Sequence, residues 1–520
     1  MKNSEIRAAW DYHNGTKHSY QSIRANRHYL DWENQPIPFK IYGGLEPISL
    51  PQHLSSSGMP ALQAIAAGGA PTDEEGALAS QTLAEILFLS AGITKRRSYP
   101  GGEILFRAAA CTGALYHIDL YLVCGALDGL DAGVYQFSPQ DFSLRKLRAG
   151  DYRSVLADAA GGEQSIMNAR CAIVSASTFW RNAWKYQSRA YRHCYWDNGT
   201  ILANLLAAAA ARKILAKLVL GFVDRLVNEL LGLDYAREAP LSLIGLGYES
   251  PARIGFPPAP PPVAFEIQPL SKKEVDYPAM RAMHEASSLE SAEEVKGWRA
   301  AAGGAEGGEK AKGESENRRF SLQSLGDEEI PTDTIEEVIM RRGSTREFAR
   351  ESITFAQLST MLDRATRGLN ADFLSSPEAT LNSIYLIVHA VEGLPAGAYV
   401  YRRDERVLEL LKEGDFRRDA GYLGLGQEIP AHCSVNIYFL TDLNRTLARF
   451  GNRGYRAAQL EAAVMGGKIY LAAYAQRLGA SGLTFFDDDV TEFFSPHAAG
   501  KSVMFLIAIG KSVKRTAASA

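Results

Sequence analysis

Two stretches of the chain, Thr82–Ile93 (TLAEILFLSAGI) and Thr354–Ala365 (TFAQLSTMLDRA), carry apolar residues at helical spacing. Two others, Leu120–Leu127 (LYLVCGAL) and Ile384–Val391 (IYLIVHAV), are short, apolar and β-branched-rich, and predict strands. Each is followed by a Gly-x-Tyr strand, at Gly133 and Gly397, and then by a polar turn. Long alanine-rich runs at Ile201–Val219 and Leu460–Leu478 predict long helices. The runs LSLIGLG (Leu241–Gly247) and MFLIAIG (Met504–Gly510) predict buried strands that close the pattern. Every element therefore occurs twice, in the same order.

The duplication holds residue by residue. GVYQFSPQDFSLRKLRAGDYR from Gly133 lies over GAYVYRRDERVLELLKEGDFR from Gly397 at an offset of 264. The same offset places Leu120–Gly133 over Ile384–Gly397, and KYQSRAYR (Lys185–Arg192) over RFGNRGYR (Arg449–Arg456). A copied domain explains one register kept over so long a stretch. Few strands and long helices make each copy α+β, and two equal copies predict a pseudo-dimer with the long helices packed together. The expected organisation is an arm at 1–59, copy one at 60–250, a linker at 251–326, copy two at 327–514 and a tail at 515–520. Within the linker, PPAPPP (Pro257–Pro262) predicts a stiff spacer, and GGAEGGEKAKGESEN (Gly303–Asn317) a mobile one. Trp10 and Trp32 predict that the arm packs on the body.

Composition narrows the class. Hydrophobic residues make up 46 % and charged residues 22 %, which supports sizeable cores. The net charge of −3 gives no overall basic field, so no nucleic-acid or membrane partner is expected. Cys111, Cys124, Cys171, Cys194 and Cys433 form an odd, sparse set without a CxxC pair, as in a reducing, cytoplasmic setting. The N-terminus has no apolar core of signal-peptide type, and Asn204, Arg212, Lys213 and Lys217 interrupt the most apolar stretch. No histidine spacing suggests a metal, and His284-Glu285 reads as surface decoration. Gly500-Lys501-Ser502 and Gly510-Lys511-Ser512 lack the earlier glycine of a phosphate loop; Gly245-Leu246-Gly247 and Gly424-Leu425-Gly426 lack a third glycine and a following helix.

Chemistry shows where the copies differ. Copy two opens with MRRGSTREF, placing Arg342, Ser344 and Arg346 at i, i+2 and i+4 beside a helix. Two cations and a hydroxyl suit a dianionic phosphate; a solvated basic turn would have the same spacing. Copy one has APTDEE (Ala70–Glu75) at this place, so Glu74 stands against Arg346, and Glu238 stands against Lys501. Conversely, copy one has Cys111-Thr112-Gly113-Ala114-Leu115-Tyr116 where copy two has Ser375–Thr380, and small residues there let a flat ligand approach the backbone. Lys185-Tyr186 in copy one becomes Arg449-Phe450, exchanging two groups that move protons for two that do not. A snorkelling lysine beside a packed tyrosine is the other account of that pair.

On these residues the chain resembles the FMN-dependent nitroreductase superfamily, and more closely the tandem SagB-type dehydrogenases related to thiazole- and oxazole-forming oxidases. The resemblance implies that Arg342, Ser344 and Arg346, with Phe348, match the family's phosphate-binding opening, and that Lys501 completes it. It implies flavin-ring contacts from Ser481, Gly482, Leu483 and Thr484 in GASGLTFFDDD, and from Cys111, Thr112, Gly113, Ala114 and Leu115 reaching in from the other copy. Lys185 and Tyr186 match a catalytic pair ahead of Tyr191-Arg192. The expected protein is an FMN oxidoreductase with one flavin between its copies, acting on a small molecule or a peptide, with NAD(P)H use and further self-association left open. The alternative is a flavin- or peptide-binding module without turnover.

Overall fold

The structure, a computed structural model, describes residues 2–68, 76–99, 102–248, 260–263, 265–303 and 317–513. APTDEE with its Glu74, most of Gly303–Asn317, the first half of the PPAPPP run (257–259) and the tail at 515–520 lie outside them.

Two seven-stranded sheets carry the fold. From edge to edge the first runs Pro47–Ser49, Ser143–Ala149, Gly133–Ser138, Ile118–Cys124, Ala169–Thr178, Glu238–Tyr248, Ala216–Val219. The second runs Arg319–Ser321, Val407–Glu413, Gly397–Arg402, Asn382–Val388, Val435–Thr441, Ser502–Gly510, Gly479–Leu483. The order is the same position for position, and every neighbouring pair within these sheets is antiparallel. Helices flank the sheets, so the two units are α+β. Central strands such as Ile118–Cys124 are buried throughout, which is why they lack a polar alternation.

The long helices α1 (Ala190–Ala211) and α2 (Arg453–Ala475) pack directly on each other. Every residue of α1 is buried. A Cβ at Gly199 would lie 2.5 Å from the Ala463 Cβ, and one at Gly467 would lie 2.6 Å from the Ala203 Cβ. Small residues on both helices thus permit an approach that larger ones would block.

Two buried ion-pair knots tie the copies together. At the start of α1, Arg189 and Arg192 grip Asp487 of copy two at 3.0 and 2.5 Å. At the start of α2, Arg453 and Arg456 grip Asp224 of copy one at 2.6 and 2.7 Å. The second arginine of each knot also donates to a histidine carbonyl, Arg192 to His13 and Arg456 to His284, both at 2.7 Å. Helix Arg7–Gly15 and helix Pro278–Ala286 therefore play equivalent parts. The repeat reaches into segments the sequence assigns to an arm and a linker, because a short helix and a three-residue strand carry too little periodicity to register.

Three expectations change. His284 is buried rather than decorative, since its carbonyl and Nδ1 both face Arg456. The predicted helix Ile201–Val219 ends at Ala211; Lys213 turns back with φ +57°, and Ala216–Val219 becomes an edge strand. Arg212-Lys213 sits at the turn, but neither glycine nor proline follows to mark a stop. Of the arm's tryptophans, Trp10 is half-buried, whereas Trp32 stays 66 % exposed while its ring lies 5.3 Å from Trp184.

Candidate functional site

The basic opening of copy two is held at one end of its sheet. Helix Ile335–Arg341, capped by Thr334 and Glu337, stops at Arg342, where the backbone turns extended. Thr345 then bonds the Ala480 carbonyl at 2.8 Å and the Ser512 hydroxyl at 2.9 Å, and Phe348 bridges to Ser512. This leaves Ser344 and Arg346 exposed and Arg342 half-buried. The Tyr470 hydroxyl of α2 donates to Ser344 Oγ at 2.8 Å, and the Arg342 guanidinium lies 5.5 Å over the Tyr470 ring. Arg342 also crosses to copy one, donating from Nε to the Ala108 carbonyl and from Nη2 to the Arg107 carbonyl.

Those carbonyls immediately precede Cys111–Leu115. That loop is a tight turn in which Gly113 and Ala114 both have positive φ. It is fixed by Asp197 of α1, whose carboxylate accepts from the Thr112 N–H and hydroxyl, from the Cys111 thiol and from His117 Nε2. Ligand atoms of Cys111, His117 and Asp197 lie within 4.8 Å of one another. Burial and the Asp197 charge push the Cys111 thiol well up, so it stays a protonated donor. Sequence spacing gave no hint of this cluster, because Cys111 and Asp197 are brought together only by packing of the turn on α1.

Lys185 and Tyr186 end helix Phe179–Tyr186, where Gln187 breaks the helix with φ +50°. Both are half-buried. A Cβ on Gly113 would lie 2.8 Å from the Tyr186 hydroxyl, so only glycine leaves that hydroxyl room against the turn. Burial and then the Arg346 charge lower the Lys185 pKa, while burial, Asp197 and Cys111 hold the Tyr186 phenol up. The basic opening of copy two and the Lys-Tyr corner of copy one therefore face one another.

Ser481–Thr484 line the adjoining edge. Ser481 is buried, Gly482 exposed, and Leu483 and Thr484 half-buried. Phe485 and Phe505 each pack 5.8 Å from Trp196 of α1, beside Asp197. Thr484 Oγ1 is buried without a hydrogen-bond partner, and a Cβ at Gly482 would meet Phe505 Cζ at an ordinary contact distance of 3.7 Å.

Lys501 is not part of this group. It precedes strand Ser502–Gly510, whose other end, at Gly510, is the one that meets the basic opening. Eight residue steps at about 3.3 Å separate the two ends. Lys501 instead bonds Ser383 Oγ at 2.9 Å. The aligned Glu238 pairs with Lys40 at 2.6 Å in a buried cluster. The residues that do follow the strand beside Arg342 are Lys511, Ser512 and Val513; the cations Lys514 and Arg515 come next in sequence and lie outside the described residues. The place of Lys501 just before the strand does not say which strand end faces the basic opening.

The mirror-related place is filled by the chain itself. Asn370–Asp372 of copy two lies along Leu218–Gly221, the counterpart of Gly482–Phe485. The Asp372 carboxylate accepts from the Leu220 and Gly221 N–H groups at 2.8 and 2.9 Å. Arg449 and Phe450, which replace Lys185 and Tyr186, are covered by Trp298 and Ala301–Ala302.

No helix among the described residues is long and apolar enough to cross a membrane. A crystal structure of a candidate nitroreductase from Anabaena variabilis is 26 % identical, covers 97 % of this chain and 99 % of its own, and superposes with a TM-score of 0.76. A candidate nitroreductase of Methanocaldococcus jannaschii is 25 % identical over 170 residues, which is 33 % of this chain and 81 % of that protein, about one copy's worth. The Nitroreductase family profile matches twice, at residues 93–248 and 339–511, once in each copy. With both matches falling on the duplicated sheets, the chain belongs to the nitroreductase family as a tandem, oxidoreductase-type member.

Proposed function

We propose that this protein is an FMN-dependent oxidoreductase of SagB type, with one composite flavin site between its copies. The observation that carries the proposal is the meeting of Arg342, Ser344 and Arg346 from copy two with Cys111–Leu115 and Lys185-Tyr186 from copy one. Arg342 and Arg346, with Ser344, would hold the phosphate by charge-assisted bonds. Cys111–Leu115 and Ser481–Thr484 would line the ring, with the unpartnered Thr484 hydroxyl supplying a polar contact. When bound, FMN supplies the hydride chemistry.

The chain's own residues would handle protons. Lys185, with its pKa lowered by burial and Arg346, loses its proton more readily than an exposed lysine and so serves as acceptor. Tyr186, with its pKa raised, keeps its hydroxyl proton and serves as donor. The substrate is a small molecule or a peptide, and the setting is cytoplasmic.

The test is flavin content by absorbance. The purified protein should carry one FMN per chain, and Arg342→Ala with Arg346→Ala should lose it. Protein that stays colourless when offered FMN, or that binds two per chain, overturns the composite site. Lys185→Ala should keep flavin yet lose turnover; unchanged turnover on every substrate tried would favour the binding-module reading.

A further inference from the structure

One element belongs to neither large sheet. Strands Ile93–Tyr99 and Gly102–Arg107 form a separate antiparallel hairpin in copy one. At the corresponding point copy two has no hairpin, and its chain instead enters the mirror-related place at Asn370–Asp372. The hairpin register sets Lys95 opposite Phe106, Arg97 opposite Ile104 and Tyr99 opposite Gly102, so these residues share one face. Arg96 and Ser98, opposite Leu105 and Glu103, share the other, where Arg96 meets Glu103 at 3.5 Å. On the first face Tyr99 is 51 % and Ile104 42 % exposed. Lys95 and Arg97 are exposed there too, and among the described residues neither has an ion-pair partner.

The hairpin has a free edge as well. Among the described residues no third strand pairs with Ile93–Tyr99, so its outer backbone groups can accept one. Beside that edge lies a cavity of about 270 Å³ lined by Leu54, Phe88, Ile93, Arg96 and Phe142, and by Glu85 and Asp141, whose carboxylates are already paired with Arg212 and Arg145. The other strand runs through Arg107 into Ala108 and Cys111, the loop that meets Arg342.

We propose that this hairpin docks an acidic, extended peptide segment as an added strand. Its acidic side chains would face Lys95 and Arg97, and an apolar side chain on the alternate face would enter the cavity beside the edge-to-face Phe88–Phe142 pair. In a chain of net charge −3 this unpaired basic face selects an acidic partner by charge complementarity. The inference rests on the proposed oxidoreductase site in one respect: a segment held here would lie beside that site and would be part of its substrate or of the substrate's carrier.

The experiment uses the full chain loaded with FMN and a fluorescein-labelled decapeptide alternating Glu with Leu and Thr, read by anisotropy. Binding should weaken roughly tenfold or more in Lys95→Glu/Arg97→Glu, and likewise for the peptide with Gln in place of Glu. A second variant, Leu54→Trp, should weaken it by filling the cavity. Flavin content should be unchanged in all variants, which separates this outcome from failure of the flavin reading. No binding by the unmodified chain, equal binding by the charge-reversed variant, or equal binding of a single-stranded oligonucleotide overturns the proposal.

Discussion

Arg346 and Lys185 come from copies whose matching residues are 264 positions apart, yet Lys185 feels the Arg346 charge. A cation beside an ammonium disfavours the charged form, so Arg346 helps lower the Lys185 pKa. Arg346→Met should therefore raise it, and the pH at which Lys185 becomes reactive to an amine-acylating reagent should move up in the flavin-free protein. No upward movement would separate the two side chains. Lys501→Ala should leave bound flavin at the level of the unmodified chain, whereas Arg342→Ala should deplete it; absorbance on the purified variants decides. At this scale the sequence was informative where spacing is local. Arg342, Ser344 and Arg346 lie within one turn of chain, and Lys185 and Tyr186 are adjacent. Asp197 and His117 were invisible because their partners arrive through folding, and Lys501 misled because sequence order does not say which end of a strand faces a site.

Elements were legible when long and periodic. The buried strands and α2 are written in apolar runs, while Pro47–Ser49 and Arg319–Ser321 are too short to show alternation. The strand Ala216–Val219 was hidden because an apolar run on an edge strand resembles a continuing helix. The α1–α2 contact has a sharper consequence. Gly467→Leu would drive a side chain into Ala203 and the Thr200 backbone. Overpacking of this kind typically costs about 1–3 kcal/mol, and here it falls on the seam between copies. The urea midpoint should drop with Gly467→Leu and much less with Gly297→Leu, where nothing lies within 4 Å.

Across the whole molecule, the duplication was the most readable feature, and its full extent was the least. The Asp487 and Asp224 knots hold one copy to the other through buried charge, with Asp224 depressed to about 2 and Asp487 held low by Arg189 and Arg192 after the opposing effect of burial. Both folded pKa values lie below the unfolded value of about 3.9, so their stabilisation is present above that pH and is lost as pH falls toward 2. His284, lowered to about 3 chiefly by burial and then by Arg456, must stay neutral; its contribution is present above about 6.5 and is lost as pH falls below it. Thermal stability should thus decline first below about pH 6.5, by about 1.4 kcal/mol per unit for such a histidine, and more steeply below pH 4. A flat profile between those values would remove the His284 account. At neutral pH, Asp224→Asn should cost about 3–5 kcal/mol in urea unfolding, since Arg453 and Arg456 would be left buried without their counter-charge.

Asp372 illustrates what fusion of two subunits permits. In a dimer of identical chains, any residue that plugs one pocket plugs the other, because a single gene writes both. Once the halves are covalently joined, each pocket answers to its own codons. One could be sealed by Asp372 and Trp298 while the opposite one kept its cations and gained a hairpin at its rim. On the proposed one-flavin reading, the sealed pocket becomes a rigid keel against which the working one is held in shape.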